Sequence, residues 1–127
     1  MRKERKDILK IREQFRELKS KKDLAELLSE AKNMLYGKET KPITFRNLIN
    51  YTDSKFSNDR YKTFTIKKKS GSFRIINAPV SGLKSILRPL NFVFQCIYTP
   101  HQAATGFVHN KSIVFNAEKH VGNNYVL

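Results

Sequence analysis

The sequence predicts an α+β fold in which an N-terminal helical hairpin precedes a basic β-hairpin and further helices. Changes in the spacing of hydrophobic residues carry this prediction. Apolar residues recur at helical spacing up to Leu35, and strand-forming residues flank a tight-turn dipeptide, Ser70-Gly71. Helical spacing returns after Pro79. With 127 residues and 39% hydrophobic side chains, the chain can fill one modest core.

The N-terminal segment has the pattern of two amphipathic helices. The first covers about residues 4–19, and its apolar stripe consists of Ile8, Ile11, Phe15 and Leu18. Ser20 and Asp23 form a capping-box pattern that starts the second helix, and Gly37 ends it. The second stripe consists of Leu24, Leu27, Leu28, Ala31 and Leu35. We expect the two helices to form a hairpin and to pack on the rest of the chain.

Three further helices are predicted. Thr44 can serve as the N-cap of a short helix. Beyond the β-hairpin, Ser81 can cap a longer helix, whose expected apolar side consists of Leu83, Ile86, Leu87, Leu90, Phe94 and Ile97. Pro89 lies inside that helix and removes one backbone donor, so we expect a kink or a break there. A last helix is predicted to be capped by Asn110.

The positive charge is distributed unevenly along the chain. The formal net charge is +14, and acidic residues interrupt the basic ones only as far as Asp59. From Arg60 to Ala117 there is no Asp or Glu. Such a stretch cannot neutralise itself, so it favours a polyanionic partner such as RNA or DNA. A basic surface that serves no partner is the alternative interpretation.

Other sequence features exclude several classes of protein. No apolar run is long enough to cross a bilayer, and the N-terminus lacks the apolar core of a signal peptide. The single cysteine, Cys96, cannot form an internal disulfide, which suits a reducing compartment. The three histidines lack metal-ligand spacing, so no zinc site is predicted. We therefore expect a cytoplasmic protein that does not bind a membrane.

The turn of the β-hairpin decides which side chains share a face. A two-residue loop at residues 70–71 would pair Lys67 with Arg74. Cross-strand partners share a face, so these two cations would emerge together on one side. The same loop would pair Ile66 with Ile75, and this pair could pack on a core from the other side. Phe73 and Ile75 are therefore expected to anchor the hairpin.

Several cations lie close together in this arrangement. Lys69 would emerge on the same side as Lys67 and Arg74. Like charges directly opposite each other destabilise a sheet, so an anionic partner is expected to offset them. A solvated hairpin tip, whose lysines prevent aggregation, is the alternative. Farther on, Lys84 and Arg88 are spaced to follow a phosphate backbone from one helix face, although an ordinary exposed face would explain them equally well.

The order of three segments resembles the fingers and the start of the palm of bacterial reverse transcriptases, most closely the retron type. The segments are FTIKKKSGSFRIINAP, LKSILRPLNFVF and ATGFVHNKSIVFNAEKHVGNNYVL. The resemblance covers about residues 45–127 and includes the short helix FRNLINYTD. It implies a truncated fingers and palm domain at residues 44–127, preceded by a helical extension at residues 1–43.

The resemblance also implies roles for individual residues. In that family the basic fingers hairpin holds the triphosphate of the incoming dNTP, a role that would fall to Arg74 and to one or more of Lys67, Lys68 and Lys69. The two-residue loop favours Lys67, whereas a longer turn would favour Lys68. The family's Gly-Phe element and the helix after it match Gly106, Phe107, Ser112, Ile113, Asn116, Ala117 and His120. The candidate template contacts are Lys84, Arg88, Gly106, Phe107, Asn110 and Ser112.

The family's catalytic aspartates have no counterpart in this sequence. They hold two divalent metals, the first on the strand that NNYVL begins and the others in a Tyr-x-Asp-Asp turn. After Asp59 the only acid here is Glu118, so no pair of carboxylates can clamp two metal ions. We therefore expect no catalytic residue, no cofactor and no polymerase activity in this segment, with Mg²⁺ required only by a full-length parent.

Two functions follow as hypotheses. The first is an N-terminal fragment of an RNA-directed DNA polymerase that grips template and incoming dNTP, with RNA, DNA, dNTP and the palm segment as partners. The second is a non-catalytic RNA- or DNA-binding module derived from the same fold. The chain could be a piece of a longer polymerase or a natural short relative that has lost catalysis. We favour the first interpretation. The retron resemblance further suggests that the parent serves phage defence.

Overall fold

The computed structural model describes residues 5–55, 59–106, 108 and 110–122. Within those residues the chain forms five helices and one two-stranded antiparallel sheet. The elements are α1 (Arg5–Arg16), α2 (Lys21–Tyr36), α3 (Phe45–Thr52), β1 (Tyr61–Lys67), β2 (Phe73–Pro79), α4 (Ser81–Ile97) and α5 (Ile113–Glu118). The chain divides into two compact units, Met1–Ile97 and Tyr98–Leu127. The predicted α+β class is confirmed.

Short-range capping contacts define the first helices, as predicted. The Ser20 hydroxyl accepts a hydrogen bond from the Asp23 backbone N–H at 3.2 Å, and the Asp23 carboxylate accepts one from the Ser20 N–H at 3.0 Å. Hydrogen bonds from the backbone of Lys19 and from the Ser20 side chain hold the pKa of Asp23 below its usual value. Thr44 and Asn47 form a second capping box at the start of α3.

The core of the first unit is built from helices. Helices α1 and α2 both pack on α4, and α3 packs on α2. The buried cluster consists of Ile11, Ala25, Leu27, Leu28, Ala31, Ile43, Leu48, Ile86, Phe92, Val93 and Cys96. Phe15, Leu18, Leu24 and Leu35 are partly buried against it. The expected packing of the N-terminal helical hairpin on the rest of the chain is therefore confirmed.

Helix α4 differs from its prediction in two respects. Of the kink or break expected at Pro89, the break does not occur, because the helix continues through Pro89, which is itself buried. Leu87 and Phe94 were expected on the apolar side, yet they are 36% and 50% exposed. The buried face is instead rotated toward Phe92 and Cys96, because α1 and α2 cover that side of the helix.

The β-hairpin has a longer turn than the sequence predicted. The Lys68 N–H donates to the Ser72 carbonyl oxygen at 2.7 Å, and the Gly71 N–H donates to the Lys68 carbonyl oxygen at 3.0 Å. Residues 69–71 therefore form a three-residue loop, in which Gly71 takes a φ of 89° that glycine adopts without strain. The predicted two-residue loop is wrong.

The N-cap of the last helix also differs from the predicted one. Ser112, not Asn110, precedes α5 as its N-cap, and the Ser112 hydroxyl accepts a hydrogen bond from the Phe115 N–H at 3.2 Å. Asn110 instead adopts a φ of 62° in the turn before it. Asparagine tolerates this left-handed conformation better than most residues, which explains its place in the turn.

Candidate nucleic-acid interface

The observed register sorts the hairpin side chains onto two faces. Ile66 pairs with Arg74, and Lys67 pairs with Phe73. Because side chains alternate along a strand and cross-strand partners share a face, one side, called here the basic face, carries Lys62, Phe64, Ile66, Arg74 and Ile76. Lys68 extends the basic face one position beyond β1, because its N–H donates to the Ser72 carbonyl oxygen and continues the pairing of the strands. The opposite face carries Tyr61, Thr63, Thr65, Lys67, Phe73, Ile75 and Asn77.

Lys68 and Arg74 come together on the basic face. Lys68 follows Ile66 by two residues, and Ile66 is the cross-strand partner of Arg74. Such diagonal neighbours lie about 7–8 Å apart, within reach of two long side chains. Both residues are exposed. The predicted pairing of Lys67 with Arg74 is therefore wrong, and the observed turn is the longer one that favours Lys68.

Neither face of the hairpin is buried in this chain. Ile66 is 51% exposed and Ile75 is 68% exposed, and the register places them on opposite faces. Phe73 is 66% exposed. The expectation that Phe73 and Ile75 anchor the hairpin in a core is wrong, since the helices fill the core among themselves. Across the opposite face, the Thr63 hydroxyl donates to the Asn77 side-chain oxygen at 2.7 Å.

Backbone hydrogen bonds through Val80 connect the end of the hairpin to the first turn of α4. The Val80 N–H donates to the Arg60 carbonyl oxygen at 2.9 Å, and the Lys84 N–H donates to the Val80 carbonyl oxygen at 2.9 Å. Lys84 and Arg88 are both exposed and lie one turn apart on α4. They occupy one helix face, as the sequence predicted.

A close contact fixes the start of α4. A Cβ atom on residue 82 would overlap the hydroxyl oxygen of Tyr51. A side chain at this position would therefore force the Tyr51 ring to move. This contact sets α3 against the first turn of α4, from which Lys84 projects.

The template candidates of the second unit lie in its turns. Gly106, Asn110 and Ser112 are exposed, and the Ser112 hydroxyl is engaged as the cap of α5. Phe107 lies outside the described residues, as does the segment NNYVL at residues 123–127.

No candidate metal centre is found in the part of the chain that the structure describes. Nowhere in it do three His, Cys, Asp or Glu side chains lie close enough together to hold a metal ion. Nor is any helix there long and apolar enough to span a membrane.

Sequence reasoning missed two sets of basic residues. Lys62 joins the basic face, which the period-two alternation of Lys62, Phe64, Ile66 and Lys68 could have shown. Lys111 and Lys119 both lie over the ring of Phe115, at 5.6 and 5.1 Å from its centroid. Their four-residue spacing about Phe115 was the available signal.

Comparison with known proteins identifies partial relatives. Over 67 residues the chain is 34% identical to the Retron Ec83 reverse transcriptase of Escherichia coli, a match that covers 53% of this chain and 22% of that relative. It is 36% identical over 67 residues to the Retron Mx65 reverse transcriptase of Myxococcus xanthus, covering 53% of this chain and 16% of that relative. No family model and no solved structure matches.

These two matches support a relationship to retron reverse transcriptases over about half of the chain. The chain spans less than a quarter of the length of either relative. The resemblance stated from the sequence motifs is thus supported in part.

Proposed function

We propose that this chain is an N-terminal part of a retron-type reverse transcriptase, in which the β-hairpin grips template and the triphosphate of the incoming dNTP. The observation that carries the proposal is the position of Lys68 and Arg74 on one exposed face of a hairpin without acidic residues. The partial similarity to two retron reverse transcriptases supports it.

Arg74 and Lys68 differ in what they offer a phosphate. The planar guanidinium of Arg74 can bind two phosphate oxygens at once, whereas the ammonium of Lys68 acts as a compact point charge. Both side chains are long enough to reach neighbouring phosphates of one triphosphate. Phe64 and Ile66 lie between Lys62 and Lys68 on the same face and provide an apolar surface for a base or a sugar.

Template contacts are proposed for residues outside the hairpin. Lys84 and Arg88, on one face of α4, can each contact a phosphate of a strand that runs along the helix. The resemblance adds Gly106, Phe107, Asn110 and Ser112 as template contacts.

The residues described here do not fit a catalytic metal pair. Two-metal phosphoryl transfer needs carboxylates that hold both ions, and no such group occurs among the described side chains. We assign this chain a binding role only, with catalysis and its Mg²⁺ requirement belonging to the palm segment of a full-length parent. A role of that parent in phage defence is a further proposal from the retron resemblance.

A non-catalytic nucleic-acid-binding module is the second candidate. It is favoured by the same observation, that no cluster of side chains among the described residues could hold a metal ion. A module of this kind needs the phosphate contacts of the basic face but has no requirement for a dNTP. Binding of dNTP therefore distinguishes the two functions.

The register provides a sharp test of the nucleotide site. Lys67→Ala and Lys68→Ala remove the same charge from adjacent residues that lie on opposite faces. At about 0.15 M salt, charges are screened over about 8 Å, so long-range effects of the two changes stay small. We expect Lys68→Ala and Arg74→Ala to weaken dNTP binding, measured by isothermal titration calorimetry, by about tenfold each. Lys67→Ala serves as the matched control and should change it by less than about twofold.

Two outcomes of this binding experiment would contradict the proposed nucleotide site. Equal losses in Lys67→Ala and Lys68→Ala would show that net charge, not a site on the basic face, governs binding. Binding of single-stranded nucleic acid without any binding of dNTP would favour the non-catalytic module.

A further inference from the structure

A second basic site lies in the C-terminal unit. It is an open pocket of about 510 Å³. The described residues that line it are His101, Gln102, Ala103, Lys111, Phe115 and Lys119. None of them is acidic, and none belongs to β1 or β2.

Two lysines are held in place around one aromatic ring. The Lys111 ammonium donates to the Ala104 carbonyl oxygen at 2.9 Å and lies 5.6 Å from the centroid of the Phe115 ring. The Lys119 ammonium donates to the Gln102 carbonyl oxygen and lies 5.1 Å from the same centroid. Carbonyl oxygens and ring faces both attract cations, so these contacts restrain two flexible side chains. The positive charge of the pocket is therefore positioned before any ligand binds.

His101 adds a ring N–H donor to the same pocket. Its Nδ1 accepts a hydrogen bond from the Ala103 N–H at 3.2 Å, which leaves Nε2–H as the donor of the ring. The pocket thus combines two ammonium groups with one N–H donor, and no lining carboxylate competes with a bound anion. This donor set matches the oxygens of a phosphate group.

We infer that this pocket binds a phosphate group of a nucleic-acid strand, with Lys111 and Lys119 as its charged ligands. The exposed ring of Phe115 then lies beside the bound phosphate and offers an apolar surface to the attached sugar or base. A phosphate of a free nucleotide has the same chemistry, so the source of the phosphate is distinguished by experiment. The inference does not depend on the function proposed for the hairpin.

A titration of the unmodified chain tests the site directly. Methylene signals of Lys111 and Lys119 and ring signals of Phe115 are followed by NMR as inorganic phosphate, a dNTP or a single-stranded RNA of about 12 nucleotides is added. We expect these signals to shift with all three, and at the lowest concentration with RNA. A dNTP that acts at a lower concentration than RNA would overturn the assignment to a strand. No shift with any of the three would overturn the site itself.

A pair of double variants then separates the pocket from net charge. Lys111→Gln with Lys119→Gln removes both charged ligands, and Lys21→Gln with Lys22→Gln removes two exposed charges from the start of α2. Fluorescence anisotropy with labelled RNA should show binding weakened by about tenfold in the first and by less than about threefold in the second. The slope of log affinity against log salt should fall by about 0.7 for each phosphate that the first variant no longer neutralises. Equal weakening in both variants would overturn the inference.

The pocket and the hairpin are also tested separately. If the Phe115 signals still shift with RNA in Lys68→Ala with Arg74→Ala, the pocket binds independently of the basic face, as expected. If the shifts disappear in that variant, the pocket is not a site of its own and the inference fails.

Discussion

The Arg12 side chain donates a hydrogen bond from Nε to the backbone carbonyl oxygen of Cys96 at 2.7 Å. The bond joins α1 to the last turn of α4, far apart in the sequence. Carbonyl groups in the last turn of a helix have no partner within the helix, and a cation there also interacts favourably with the helix dipole. Arg12 therefore helps to hold the N-terminal helix on the core.

The first prediction concerns this bond. Arg12→Gln should lower the free energy of unfolding by about 1.5–3 kcal/mol, since hydrogen bonds to charged groups contribute about that much. Urea unfolding followed by circular dichroism measures the change. Arg16→Gln, at an exposed position of the same helix, is the matched control and should stay within about 0.5 kcal/mol of the unmodified chain. Equal losses of unfolding free energy in the two variants would show that the hydrogen bond from Arg12 does not itself stabilise the fold.

The second prediction tests the helical core. Leu28 on α2 is 1% exposed, whereas Leu9 on α1 is 54% exposed. Leu28→Ala should lower the free energy of unfolding by about 2–5 kcal/mol, because it reduces apolar burial and leaves a residual cavity. Leu9→Ala removes the same atoms from the surface and should cost far less. An unchanged melting temperature in Leu28→Ala would show that the N-terminal hairpin does not pack on α4.

The third prediction concerns Gly82, which packs against Tyr51. An alanine in the first turn of a helix normally stabilises it relative to glycine. Here its Cβ would overlap the Tyr51 hydroxyl, so Gly82→Ala should destabilise the chain by about 1–3 kcal/mol. The destabilisation should be smaller in a Tyr51→Phe background, because the nearest atom is then removed. A stabilising Gly82→Ala would contradict the contact between α3 and α4.

The fourth prediction concerns the pH dependence of the α2 cap. The pKa of Asp23 is lower in the folded chain than its usual value, because it accepts hydrogen bonds from the backbone of Lys19 and from Ser20. The charged form therefore stabilises the fold above the usual pKa of about 3.9, and this contribution is lost as the pH falls through the lowered value. The urea midpoint of Asp23→Asn should lie below that of the unmodified chain at about pH 7, and the difference should shrink at about pH 2. If the difference in urea midpoint were the same at both pH values, the charge of the Asp23 carboxylate would have no role in stabilising the cap.

The fifth prediction concerns catalysis. Because no group of side chains among the described residues could hold a metal ion, this chain alone should not extend a primer with magnesium or manganese. A longer chain that includes a palm segment with a Tyr-x-Asp-Asp turn should synthesise DNA on an RNA template. Primer extension on both proteins is the measurement. Metal-dependent extension by the short chain, after contaminating polymerase has been excluded, would contradict the binding role proposed for it.

Features fixed by neighbouring residues could be predicted from the sequence. The N-caps at Ser20 and Thr44 depend on contacts three residues apart, so their positions were predicted correctly. Gly37 ends α2 for a similarly local reason. Both Asn110 and Ser112 can cap a helix, so the sequence alone could not choose between them.

Features that depend on distant contacts were predicted less well. Apolar residues cover more than one side of α4, so only the packing of α1 and α2 determines that Cys96 is buried and Phe94 is exposed. In the hairpin, a single glycine at residue 71 suits both a two-residue and a three-residue loop. A shift of one residue then moves each side chain to the other face, which is why the sequence alone pairs Lys67 with Arg74.

Three consecutive lysines, residues 67–69, would keep a lysine beside Arg74 if the pairing of the two strands shifted by one residue. Lys68 occupies the position beside Arg74 with the three-residue loop that is observed. Pairing across a two-residue loop at residues 70–71 would instead place Lys67 directly opposite Arg74 and Lys69 in the diagonal position. Because all three residues are lysines, a lysine would lie beside Arg74 in either register, although the one-residue slip moves every side chain of the strand to the other face.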